Sequence, residues 1–133
     1  MFLTCGILAV SFCGCKKESD NNSEKTEVAD ISYEQITAEK AKAIMDSGKD
    51  YILIDSRTQE EYDEGHIEGA IMIPEYEIAK RAESELPHKN ALILVYCRSG
   101  RRSKIASQAL VDLGYTNVKE FGGIIDWPYE IVK

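Results

Sequence analysis

One cysteine and three arginines stand within six residues of each other in LVYCRSGRRS (residues 94–103): Cys97, Arg98, Arg101 and Arg102. A cysteine does nucleophilic chemistry as its thiolate, and three features of this segment favour negative charge there. Gly100 lets the backbone bend so that successive N–H groups converge as an anion nest. A helix beginning near Ser103 would bring its positive end to the sulfur. Arginine side chains add charge that does not titrate away. The same field draws in an anionic substrate. A free cysteine is otherwise most often a small buried hydrophobe, which has no need of three arginines and a glycine directly behind it.

The surroundings sharpen that contrast. The whole chain carries a formal net charge of −7. From Arg57 to Leu86 nine acidic residues face three basic ones, whereas Arg98 to Lys104 holds four basic residues and no acid. A small anion fits so local a cluster better than a polymer, and nucleic acid is excluded as the main partner because phosphate neutralisation needs a broad basic face. The two histidines, His66 and His88, are far apart and no metal-ligand spacing exists. Neither a metal nor a cofactor is expected.

Elements must hold this segment in place. At 133 residues the chain is one domain of ordinary size. ALILVY (91–96) is the strongest strand pattern, and its unbroken apolar character predicts a central strand covered on both faces. YILID (51–55), GAIMIP (69–74) and NVKEF (117–121) read as further strands. TAEKAKAIMDSG (37–48), TQEEYDEG (58–65), EYEIAKRAESEL (75–86) and SKIASQALVDLGY (103–115) read as helices. Strands alternating with helices predict an α/β sandwich around a mostly parallel sheet. Ligands of such folds lie beyond the carboxyl ends of the strands, which is where Cys97 falls.

CRSGRRS resembles the active-site loop of the rhodanese family of sulfurtransferases. LIDSRTQEEYDEGHIEGAIMIP (53–74) resembles that family's upstream signature, and FGGIIDWP (121–128) its closing segment. The resemblance implies a three-layer sandwich with a five-stranded, mostly parallel sheet and helices on both faces, spanning residues 31–133. It implies sulfane-sulfur transfer through a persulfide on Cys97. The substrate-binding loop would be Arg98, Ser99, Gly100, Arg101, Arg102 and Ser103, with Arg102 turned inward and Asp55 and Arg57 in support. The expected donor is a small sulfur anion such as thiosulfate, the acceptor a thiol or cyanide, and the protein a monomer. Two rivals stand beside this reading. A rhodanese-like phosphatase or arsenate reductase would carry its arginine six positions after the cysteine, where this chain has Ser103. A persulfide carrier without catalysis would keep the loop and leave the chemistry to a partner.

Nearby residues are expected to support the fold. Arg57 and Glu61, four apart at a helix start, suggest an ion pair. Asp55 either orients loop groups or caps the next helix, and His66 makes a structural hydrogen bond rather than acting as a base.

Residues 1–14, MFLTCGILAVSFCG, contain no charged side chain and read as an export signal. With Cys15 and the polar run after it, they resemble a bacterial lipoprotein signal. That resemblance implies cleavage before Cys15, a lipid on its thiol, and a flexible linker over 15–30 with a mean reach of about 20 Å. The mature protein would then sit at the cell envelope, periplasmic or on the outer surface, touching the membrane only through its anchor. An ordinary cleaved secretory signal is the alternative. Under the lipoprotein reading Cys97 is the one free thiol left.

Overall fold

A strand with an unbroken apolar run needs cover on both faces, and Ile93–Cys97 (β4) has it, with all five residues buried. The computed structural model describes residues 32–133, and in it β4 is the middle of a five-stranded sheet. The other strands are Glu34–Gln35 (β1), Ile52–Asp55 (β2), Ile71–Met72 (β3) and Val118–Gly123 (β5). Their order is β1-β5-β4-β2-β3 and every pairing is parallel. The expected signal peptide (1–14) and anchored linker (15–30), with Cys15, lie outside the described residues.

Parallel pairing obliges the chain to return over a face of the sheet after each strand. It does so through Ala38–Asp46 (α1), Gln59–Glu64 (α2), Ile78–Glu85 (α3, entered through a 3-10 turn at Glu75–Glu77) and Arg101–Asp112 (α4). Side chains on a strand alternate between faces. Ile93 and Val95 enter a cluster with Ile78 and Ala82 of α3 and Leu110 of α4. Leu94 and Tyr96 enter the opposite cluster with Ala41 of α1, Phe121 and Trp127. The expected three layers are therefore present. The same alternation assigns Cys97 to the α4 side of the sheet.

Three local expectations are corrected. Helix α4 starts at Arg101, two residues before Ser103, because Gly100 takes φ +109° and turns the chain straight from strand into helix. Thr58, not Asp55, caps α2: its side chain accepts from the Glu61 N–H while the Glu61 carboxylate accepts from the Thr58 N–H. Arg57 precedes that cap and is not on the helix, so helical i,i+4 spacing does not apply. It pairs with Asp55 instead of Glu61.

Candidate active site

Cys97 ends β4 with 1% exposure, and its Sγ accepts the Gly100 N–H at 3.0 Å. The loop is short because the sheet grips it from the next strand. Val95 pairs with Glu120 but Cys97 pairs with Gly123, so β5 carries one extra residue at this point, a bulge. The bulge lays Gly123 against the loop so closely that a Cβ there would overlap the Arg98 carbonyl. The Ile125 N–H then donates to that same carbonyl at 3.2 Å. Arg98 and Ser99 are thereby turned outward and are exposed, while Gly100 is buried.

The three arginines divide. Arg98 and Arg101 are exposed and make no ion pair among the described residues. Arg102 is half-buried and gives two parallel bonds to Glu61, 2.8 Å to Oε1 and 3.0 Å to Oε2. This is the bidentate geometry that suits a guanidinium to a carboxylate. Arg102 holds the Glu61 carboxyl down to about 2, helped by the hydrogen bonds from Thr58 and opposed by partial burial. In return Glu61 raises Arg102, and charge on Cys97 and Glu75 raises it further. The inward arginine thus ties the loop to α2, and the two free guanidinium groups stand at the rim.

Ser103 lies in the first turn of α4 and is buried. Its Oγ is 3.4 Å from Cys97 Sγ and 2.5 Å from Oε2 of Glu120, a carboxylate only 2% exposed. Asp55 and Arg57 are also buried, but they serve the other face. Arg57 Nε and Nη2 bond both oxygens of Asp55 at 2.8 and 2.6 Å, and Nη2 also reaches the Gly65 carbonyl at 2.7 Å. The Tyr96 hydroxyl donates to Asp55 at 2.7 Å and accepts the Ile67 N–H at 3.0 Å. Burial, with Asp55 beside it, raises the Tyr96 phenol well above its ordinary range. Since Tyr96 points away from Cys97 across the strand, this network fixes the end of β4 from behind. His66 stacks on Tyr62 at 3.7 Å and bonds its carbonyl through Nδ1, as a structural residue would. His88 is exposed and Trp127 buried. Among the described residues no group of three or more metal-ligating side chains occurs.

Glu120 and the Gly122–Gly123 bulge were missed as site residues by sequence reasoning, and Glu61 was assigned the wrong partner. A signal for Glu120 does exist: it is two residues from Val118 on one strand, so an acid shares a face with a core valine.

Comparison with known proteins agrees with this arrangement. A family model described as Rhodanese-like domain matches residues 37–128. Thiosulfate sulfurtransferase PspE of Escherichia coli (strain K12) is 42% identical over 80 residues, covering 60% of this chain and 77% of that protein. A sulfurtransferase of Allochromatium vinosum is 37% identical over 94 residues, covering 70% of this chain and 86% of that one. Among solved structures, one described as rhodanese with anions from E. coli is similar at a TM-score of 0.60 and 39% identity, covering 63% of this chain and 99% of that one.

Proposed function

The chain belongs to the rhodanese-like domain family, and on that premise we propose that it moves a sulfane sulfur from thiosulfate, or an anion like it, to a thiophilic acceptor through a persulfide on Cys97. The observation that carries this reading is the seat of the sulfur. Cys97 Sγ lies at the carboxyl end of the central strand, bonded by the Gly100 N–H and next to the N-terminus of a twelve-residue helix.

In the first half-reaction the Cys97 thiolate attacks the outer sulfur of thiosulfate. A new S–S bond forms, the S–S bond of thiosulfate breaks, and its electron pair leaves on sulfite. The negative charge moves to the outer sulfur of the persulfide, where the loop N–H groups and the helix end stabilise it. In the second half-reaction a thiolate or cyanide takes that outer sulfur and returns Cys97 as thiolate. This is covalent catalysis of the ping-pong type. Arg98 and Arg101 meet the doubly charged donor at the rim. Arg102, engaged by Glu61, holds the loop in shape. A phosphatase loop would need its arginine at position 103, but Ser103 turns its side chain into the protein, toward Glu120.

Steady-state kinetics test the cycle. With thiosulfate and cyanide varied together, double-reciprocal lines are expected to be parallel, and Cys97→Ser to lose turnover at least a thousandfold, as for loss of a covalent nucleophile. Intersecting lines, or release of phosphate from a phosphomonoester at comparable rate, would overturn the reading.

Export and anchoring through a lipid on Cys15 are part of the same proposal, supported by the uncharged run 1–14 and the polar run after Cys15. A fatty-acid analogue fed to cells should label the wild-type protein and not Cys15→Ala. Equal labelling of both would sink this part.

A further inference from the structure

Behind the sulfur lie two polar groups that the sulfur-transfer cycle leaves unused. Cys97 Sγ, Ser103 Oγ and Glu120 Oε2 follow one another at 3.4 and 2.5 Å. All three residues are buried, at 1%, 0% and 2% exposure. Ser103 owns a single hydroxyl proton. Its other neighbours, the Gly100 carbonyl at 3.1 Å and the Gly122 carbonyl at 3.4 Å, are farther than the carboxylate. The proton therefore points at Glu120, and Ser103 presents a lone pair to Cys97. Glu120 also accepts the Gly122 N–H at 2.9 Å on Oε2 and the Gln35 amide at 3.4 Å on Oε1. No cation touches it among the described residues. Such a set suits a carboxylate in the resting site, with the thiol as donor at the outer end.

We propose that Glu120 takes the Cys97 proton, relayed by Ser103, when the thiol becomes a persulfide. The resting thiol hands its proton to Ser103 Oγ as Ser103 hands its own to Glu120, which leaves the thiolate that attacks the donor. The carboxylate becomes a carboxylic acid, and both hydrogen bonds persist with their direction reversed. One thiol, one carboxylate and one thiosulfate dianion thus give a persulfide anion, a carboxylic acid and a sulfite dianion, with the proton retained inside the protein. The physical reason is repulsion. The two bond lengths cap the separation of Sγ and Oε2 at about 6 Å, the outer persulfide sulfur lies at most one S–S bond of about 2 Å beyond, and two like charges that close in a buried site cannot both persist cheaply. The remaining charged groups relieve this only in part, through Arg102. Arg102 is paired with Glu61, Arg98 and Arg101 face solvent, and Glu75 adds negative charge on the loop side. Lys119 points to the opposite face of β5, where Glu34 pairs with it. Glu120 is thus a positioning residue, acting through Ser103.

The proposal rests on Cys97 as the sulfur carrier, and its test separates the two claims. Infrared difference spectra of the full-length protein, loaded minus free, are recorded after thiosulfate and separately after polysulfide, with mass spectrometry confirming the adduct. A carboxylic-acid carbonyl band is expected on loading, about one per persulfide, moved to lower frequency by carboxyl-13C glutamate and lost in Glu120→Gln. The isotope shift in wild type assigns the band to a glutamate even if the variant does not fold. A persulfide formed without that band means the proton leaves to solvent, and overturns the relay. The band after polysulfide with no adduct after thiosulfate keeps the relay and removes thiosulfate as donor. A band that survives in Glu120→Gln also overturns it.

Discussion

At the scale of single residues, Arg101 is where stability and charge pull against each other. It stands in the first turn of α4, where the helix dipole is positive and a cation is unfavourable, and no carboxylate pairs with it among the described residues. Arg101→Ala should therefore raise stability by about 0.3–1 kcal/mol in urea denaturation, while raising KM for thiosulfate several-fold and leaving kcat nearly unchanged. A KM equal to wild type would show that the rim charge is idle. Glu61 gives a complementary, pH-dependent case. Its carboxyl is held down from 4.5 to about 2, chiefly by Arg102. A depressed carboxyl contributes stability above its unfolded value and loses that contribution as pH falls through the folded one. The pair should thus contribute on the order of 1–2 kcal/mol near neutrality after partial screening, lost between pH 4.5 and about 2. Urea titrations across that window should show wild type losing stability more steeply than Glu61→Gln. Parallel curves would contradict the assignment of Glu61 to Arg102.

At the scale of elements, the site is a junction between β4, α4 and the bulged end of β5. The close approach of Gly123 to the Arg98 carbonyl makes it the tightest point of that junction. Gly123→Ala has to push the loop off the strand, and the cost should exceed about 2 kcal/mol with loss of persulfide formation. Wild-type stability in that variant would mean the loop has slack. Helix α4 offers the opposite case one turn after Ser103. Ser107 is fully buried and its hydroxyl has no hydrogen-bond partner among the described residues. Ser107→Ala removes an unsatisfied group and improves helix propensity, so thermal denaturation should show a gain of about 1 kcal/mol with unchanged turnover. A loss of stability would show that the hydroxyl is satisfied after all. How well each element could be read followed its apolar pattern. The run 91–96 announced β4 because covering both faces demands continuous hydrophobicity. Glu34–Gln35 announced nothing, since both residues are exposed and the strand exists only through its hydrogen bonds to β5.

At the scale of the whole molecule, the proposed nucleophile was legible and its support was not. Cys97, Gly100 and the arginines are contiguous, so their joint chemistry shows in one line of sequence. Glu61 and Glu120 lie 41 residues upstream and 17 residues downstream of the groups they bond, and only the parallel sheet brings them in. The expected Arg57–Glu61 pair failed for the same reason: local spacing suggested a neighbour, while the fold supplied Asp55 to one and Arg102 to the other. The division that results is a property of the assembled domain, with two arginines exposed and unpaired among the described residues, one holding the loop, and a buried acid behind the sulfur. All of it stands on one covalent event at Cys97. Intact mass spectrometry of the full-length protein after brief exposure to thiosulfate reads that event directly. A gain of one sulfur atom is expected, localised to the Cys97 peptide, removed by cyanide and absent in Cys97→Ser. No gain in wild type, or an equal gain in Cys97→Ser, would contradict the account.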